Sequence, residues 1–118
     1  AEDGPYAASL TLASGGRRIV GTAVQGGVRI VEIDGYEVDA IPNGVILVTR
    51  HRDVPGMIGR VGTLLGDAHV NISTMQVSRN VQGGSALTVL AVDRPVAAPI
   101  IEALEGIADM QSVVAVTI

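Results

Sequence analysis

The chain alternates apolar with polar or small residues over 5–41, which is the two-residue period of half-buried β-strands. Glycine pairs interrupt the alternation twice and predict turns between successive strands. Asp34-Gly35 stands between two β-rich runs and is typical of a type I′ hairpin turn. The pattern therefore predicts an antiparallel meander of four strands, after which Pro42 ends the alternation.

Residues 45–118 follow a different pattern, in which strand-like and helix-like stretches succeed one another. The run 45–51 is apolar at nearly every position, as in a strand that is covered on both faces. A helix with one apolar face is predicted after Pro55, and a second helix between Pro95 and Gly106. The order strand–helix–strand–strand–helix–strand, with right-handed crossovers, makes a ferredoxin-like sandwich. The apolar face of the first helix comprises Met57, Ile58, Val61, Leu64, Leu65 and Ala68, and the later strands span 70–80, 85–93 and 111–118.

These two patterns predict an α+β chain of two parts. Residues 44–118 are expected to form the βαββαβ domain, and residues 1–43 a short antiparallel β meander. A meander of that size buries too little apolar surface to be stable alone, and the chain has no cysteine for disulfide bonds. We therefore interpret residues 1–43 as the C-terminal part of a larger domain.

Three glycines lie on the side of the first predicted helix that is opposite its apolar face, within roughly 60° of one another. Each glycine inside a helix costs about 1 kcal/mol relative to alanine. This glycine face (Gly59, Gly62 and Gly66) is therefore expected to admit the close approach of a ligand, another helix or another subunit. The alternative is that some of these glycines are simply tolerated near the helix ends.

The composition excludes several classes of function. The chain has 118 residues, no cysteine and two histidines, so we expect no disulfide, no thiolate nucleophile and no metal site of its own. Its formal net charge of −4 and its aromatic content of 2% disfavour binding to nucleic acid. The sequence has neither an apolar run long enough for a membrane span nor a signal-peptide pattern, so we expect a cytoplasmic protein without membrane contact.

The segment RHRDVPGMIGRVGTLLGDAHVNISTMQV, at 50–77, resembles the ACT domain, a small-molecule sensor, and the resemblance extends over 45–118. The preceding IVEIDGYEVDAIPNG, at 30–44, resembles the end of the ASB (allosteric substrate-binding) domain that precedes ACT in long D-3-phosphoglycerate dehydrogenases. The resemblance implies the regulatory C-terminal region of an NAD-dependent oxidoreductase of serine biosynthesis, with the NAD site and the catalytic residues upstream. It also implies a homo-oligomer that forms by ACT–ACT pairing and binds an amino-acid effector between two copies. No cofactor and no catalytic residue is expected within this chain, since its glycines lack the G-x-G-x-x-G spacing.

A zwitterionic amino acid needs acceptors for its ammonium group and donors for its carboxylate. Asp53 and the amide oxygen of Asn71 are candidate acceptors. The backbone N–H groups of Gly56, Met57 and Ile58, at the start of the first helix, are candidate donors with the helix dipole behind them. Gly56 has no side chain and would let the ligand approach closely.

The resemblance matches His51, Asp53 and Asn71 to the histidine and the two asparagines that hold serine in serine-sensitive relatives. Two positions depart from that pattern: Asp53 replaces the asparagine of the first loop, and Val54 replaces an arginine that often precedes Pro-Gly. An aspartate accepts from an ammonium group more strongly than an asparagine does, but it repels a carboxylate placed nearby. L-Serine is the effector that the resemblance implies.

Each candidate also has a structural interpretation that the residues leave open. Asp53 is equally suited to cap the first helix, and Asn71 to satisfy a backbone group at the start of a strand. His51 ends a predicted strand at the surface, where a solvated histidine is as plausible as a ligand contact. His69, at the turn from helix to strand, is expected to be structural.

Two alternatives stay open at the level of function. The same ASB–ACT pair resembles the regulatory part of iron–sulfur L-serine dehydratases, whose cluster ligands would lie elsewhere. The domain would otherwise be a dimerisation module that binds no effector. The resemblance to ASB domains implies binding of phosphate-bearing metabolites, so three arginines of the meander are candidates for an anion site: Arg17, Arg18 and Arg29. The alternative is that they are ordinary solvated side chains.

Overall fold

The computed structural model describes residues 8–14, 17–24, 27–79 and 84–118 of the chain. The chain divides between Pro42 and Asn43 into two compact units. Each unit contains one four-stranded antiparallel sheet. The second unit also contains both helices of the described part of the chain.

The first unit is the predicted β meander. Its strands pair antiparallel in chain order: β1 (Ala8–Ser14), β2 (Arg17–Val24), β3 (Gly27–Ile33) and β4 (Tyr36–Ala40). Asp34 and Gly35 have φ angles of 51° and 86°, so the turn between β3 and β4 has the left-handed pair that a type I′ hairpin requires. The turn predicted at Gly15-Gly16 lies outside the described residues, and so does Gly26 of the turn predicted at Gly26-Gly27.

The second unit has the predicted ferredoxin-like order of elements: β5 (Val45–Arg52), α1 (Met57–Asp67), β6 (Ile72–Arg79), β7 (Ser85–Val92), α2 (Ala98–Glu105) and β8 (Met110–Thr117). Its sheet has the strand order β6–β7–β5–β8, so β6 and β8 are the edges. In the part of the chain that the structure describes, neither helix is long and apolar enough to cross a membrane.

Apolar side chains of the sheet and of both helices form the core of the second unit. Strand β5 is buried at five successive positions, 45–49, which confirms that both of its faces are covered. Met57, Val61 and Leu65 of α1 are buried, as the apolar face of that helix predicts. Burial of each such side chain contributes roughly 1.5–3 kcal/mol. The core cluster comprises Val45, Leu47, Met57, Val61, Leu65, Val70, Leu90, Val92, Leu104 and Val113.

The glycine face lies within α1, as predicted. Gly59 and Gly66 are exposed and Gly62 is half-buried. A Cβ atom added at any of the three would meet no atom within 4 Å other than its own chain neighbours and helix backbone. Within the described part of this one chain, therefore, nothing approaches the glycine face closely enough to require glycine there.

Candidate functional site

The start of the loop between β5 and α1 is held by backbone hydrogen bonds to two neighbouring segments. The N–H of Asp53 donates to the carbonyl of Gly84 at 2.7 Å, which joins the loop to the start of β7. The N–H of Arg52 donates to the carbonyl of Asp109 at 3.0 Å, which joins it to the segment before β8. These bonds hold the start of the loop at the end of β5, four residues before α1 begins at Met57.

Helix α1 begins without a side-chain cap. Its N-cap residue is Gly56, whose φ of 86° lies in the left-handed region that favours glycine. The interpretation of Asp53 as the helix cap is therefore wrong, because the chain turns at Gly56 and places the cap three residues later. Within the described ranges, the backbone N–H groups of Ile58 and Gly59 have no acceptor, as is normal in the first turn of a helix.

Asp53 instead forms an ion pair with Arg79, the last residue of β6. The Nε–H of Arg79 donates to Oδ2 of Asp53 at 2.6 Å, and the two side chains are 65% and 32% exposed. Arg79 is not among the residues predicted from sequence. It stands 26 positions from Asp53, and only the sheet topology brings the end of the edge strand β6 beside the β5–α1 loop.

His51 is buried, with a relative exposure of 2%, so its expected position at the surface is wrong. Its Nδ1 lies 2.8 Å from the carbonyl oxygen of Arg52, which only accepts, so Nδ1 carries the hydrogen. Its Nε2 lies 2.9 Å from the hydroxyl of Thr88, which donates to it when the ring is neutral. The side chain points to the buried side because His51 shares the core-facing register of β5 with Leu47.

One cavity of about 410 Å³ brings together five of the six residues predicted to bind an effector. Its volume is within the range of small-molecule sites, roughly 300–1,000 Å³. It lies between the β5–α1 loop, the first turn of α1 and the end of β6. The predicted residues in its lining are His51, Asp53, Gly56, Met57 and Ile58, and the others are Val54, Pro55, Gly59, Val77 and Arg79.

Asn71, the sixth predicted residue, lies elsewhere in the chain. Its N–H donates to Oδ1 of Asp93 at 3.0 Å, and its carbonyl accepts from the N–H of Asp93 at 3.0 Å. It directly precedes β6, whereas Val77 and Arg79 line the cavity from the other end of that strand. At about 3.3 Å per residue, Asn71 is roughly 20 Å from the cavity of its own chain. Asn71 bonds to Asp93 through its backbone, so the interpretation that its side chain satisfies a backbone group at the strand end stays a prediction. Its exposed side chain does not line the cavity.

Asp93 is held as an anion by its neighbours. The pKa of Asp93 lies below its ordinary value of 3.8, first because the Arg94 side chain donates to its carboxylate and second because the Asn71 N–H does. Two nitrogens of Arg94 lie 3.2 and 3.3 Å from the two carboxylate oxygens. This carboxylate links the residue after β7 to the residue before β6.

Two of the three candidate arginines of the meander, Arg18 and Arg29, are paired with acidic side chains. Arg18 lies 3.6 Å from Glu32, and Nε of Arg29 donates to Asp39 at 2.8 Å. The side chain of Arg17 lies outside the part of the chain that the structure describes. An anion site at these arginines stays a prediction. Among the described residues there is no cluster of three or more His, Cys, Asp or Glu side chains that would hold a metal ion.

A profile of the ACT domain matches residues 45–109, which includes the whole β5–α1 loop and the cavity beneath it. The chain belongs to the ACT domain family. This agrees with the α+β, ferredoxin-like architecture of the second unit.

Several similar proteins are enzymes named D-3-phosphoglycerate dehydrogenase. The one from Bacillus subtilis is 45% identical over 87 residues, which cover 74% of this chain and 17% of the relative. The one from Methanocaldococcus jannaschii is 40% identical over 100 residues, which cover 85% and 19%. The chloroplastic D-3-phosphoglycerate dehydrogenase 3 of Arabidopsis thaliana is 34% identical over 106 residues, which cover 90% and 18%. The chain thus spans about a fifth of the length of these relatives.

Proposed function

We propose that this chain is an amino-acid-sensing and oligomerising regulatory module, and that its effector is L-serine. The observation that carries the proposal is the cavity in which the second oxygen of Asp53 occurs together with the N–H groups of Ile58 and Gly59, none of which has a partner among the described residues. An α-amino acid carries one group for each of these: an ammonium for Asp53 and a carboxylate for the N–H groups at the positive end of the helix dipole. Gly56 leaves the space in which a ligand approaches this turn.

The names of the relatives support an assignment for the longer protein. We infer that this chain is the C-terminal regulatory region of an NAD-dependent D-3-phosphoglycerate dehydrogenase of serine biosynthesis. A cytoplasmic location is part of this proposal. The NAD site and the catalytic residues would belong to upstream domains, and feedback by serine would be a reason for a serine sensor in that enzyme. An iron–sulfur L-serine dehydratase is the weaker alternative, because the relatives described above are dehydrogenases.

We infer further that two copies of the domain pair through the edge strand β6. Two copies related by a two-fold axis would pair their β6 strands antiparallel, which places the start of one strand beside the end of the other. Asn71 of the second copy would then lie near Arg79 and the cavity of the first. Met75, in the middle of β6, is 47% exposed, and such pairing would cover it. The distance between Asn71 and the cavity of its own chain supports a site completed by a second copy.

A module that only dimerises is the second candidate. It is favoured by the ion pair with Arg79, which already occupies one oxygen of Asp53 without any ligand. Calorimetric titration with L-serine, with D-serine and glycine as controls, distinguishes the two candidates, together with the mass in solution. We expect a dimer that binds L-serine more tightly than D-serine. A dimer that gives no heat with any of the three would contradict the sensor and leave the dimerisation module.

A further inference from the structure

The cavity is lined by a positively charged side chain, that of Arg79, which is not among the predicted effector residues. We propose that Arg79 binds the carboxylate of the effector, and that the Asp53–Arg79 pair restricts the ligand to molecules that carry both an ammonium and a carboxylate group. This rests on the proposed function of the cavity as an effector site and specifies the ligand class that the site accepts. Arg79 is thus a specificity-determining residue of the cavity.

The geometry of the ion pair leaves Arg79 available to a ligand. The hydrogen bond to Asp53 uses Nε, and within the described ranges the two Nη groups have no partner. The side chain is 65% exposed and lines the same cavity as Asp53. A guanidinium presents its N–H groups in a planar fork that matches a carboxylate, so Arg79 can hold Asp53 and a second carboxylate at once.

The charges around the cavity explain why both groups of the ligand are needed. Among the described residues that line the cavity, Asp53 and Arg79 form an ion pair. Both ring nitrogens of His51, which also lines it, already bond within the chain. Without Arg79, the charge of Asp53 would repel a ligand carboxylate placed beside it. With Arg79, a ligand that has only one charged group leaves one member of the pair without a new partner, whereas a zwitterion binds both.

Val54 lies in the β5–α1 loop, at the position where relatives often have an arginine, but its side chain cannot bind a carboxylate. Its side chain is half-buried, lines the cavity and packs against the apolar core. The residue therefore contributes an apolar wall. The cationic side chain for the carboxylate consequently comes from the end of β6, and it acts together with the N–H groups at the start of α1.

The test compares two ligands on three forms of the chain. The ligands are L-serine and serinol, in which a hydroxymethyl group replaces the carboxylate. The forms are the unaltered chain, Arg79→Gln and the control Arg52→Gln. Arg52 is similarly exposed, pairs with Asp109 at 3.5 Å and does not line the cavity. The ratio of the two dissociation constants is taken within each form, so a partly unfolded sample does not change it.

We expect the unaltered chain and Arg52→Gln to bind L-serine at least tenfold more tightly than serinol. In Arg79→Gln the preference is expected to fall below threefold, because the charge-assisted contact to the carboxylate is lost. Arg79→Lys keeps the charge without the planar fork, and an intermediate preference is expected. An unchanged preference in both Arg79 variants would overturn the role of Arg79 while the effector site stands. An unaltered chain that binds neither ligand would overturn the proposed function and this inference with it.

Discussion

His51 and Asp53 are two residues apart, and the fold gives them opposite environments. His51 is the last residue of β5 that faces the core, and both of its ring nitrogens bond within the chain. Asp53 follows the strand, faces the cavity and keeps one carboxylate oxygen without a partner among the described residues. We therefore expect His51 to contribute chiefly to the stability of the site, and Asp53 to make the proposed ligand contact.

Replacement of His51 by asparagine is expected to lower the free energy of unfolding by about 2–4 kcal/mol. The shorter side chain leaves a cavity and cannot satisfy both the Arg52 carbonyl and the Thr88 hydroxyl. His69→Asn is the matched control: His69 is exposed and has a left-handed φ of 61°, which asparagine tolerates. Urea unfolding of both variants measures the difference. A loss below 1 kcal/mol at His51 would show that its two hydrogen bonds do not support the loop.

Asp93 is expected to make stability dependent on acid pH. Its folded pKa lies below the ordinary value of 3.8, so its contribution is complete above that pH and is lost as the pH falls through the folded pKa. Asp93→Asn should therefore be less stable than the unaltered chain at pH 6, and the difference should shrink below pH 4. Urea unfolding at pH 6, 4 and 3 measures this. A difference that stays constant down to pH 3 would contradict the assigned cause.

At the scale of the elements, hydrophobic periodicity predicts which helices and strands form better than it predicts where each of them begins. The apolar faces of α1 and β5 and the Asp34-Gly35 hairpin follow from local pattern alone, and all are present. The start of α1 could not be predicted as well, because Asp53 is a good cap residue and only the left-handed turn at Gly56 moves the cap. The partner of Asp53 could not be predicted either, since Arg79 reaches it through the strand order of the sheet.

The glycine face gives a prediction that separates helix stability from subunit contact. Gly62→Ala should stabilise the chain by about 0.5–1 kcal/mol, because its Cβ would meet no other atom and alanine favours the helix. Gly56→Ala should destabilise it by about 1–2 kcal/mol, because φ is 86° there. Thermal unfolding measures both. Gly62→Leu is added as a test of contact: if another subunit packs on this face, the mass in solution falls to that of the monomer, and an intact dimer that still binds L-serine would show a solvent face.

At the scale of the whole molecule, the proposed effector site would be only partly contained in one chain. Six candidate residues were predicted from local spacing and from the resemblance to the ACT family, and five of them line one cavity. They do not reveal that Asn71 stands at the opposite end of β6, because that depends on the length and direction of the strand. The proposed two-fold pair of chains would resolve the discrepancy, since it would bring Asn71 of one copy to the cavity of the other. The central claim is therefore that each effector site takes Asp53 from one copy and Asn71 from another.

Mixed dimers test that claim most directly. Asp53→Ala and Asn71→Ala chains are co-expressed, and the number of L-serine sites is measured by calorimetry beside each variant alone. Each variant alone should bind at least tenfold more weakly than the unaltered chain. In the mixture, half of the dimers are mixed and each of these has one intact site, so about a quarter of the original high-affinity sites should return. If the mixture recovers no sites although both variants fold and dimerise, the two residues do not meet across the pair of chains and the account is wrong.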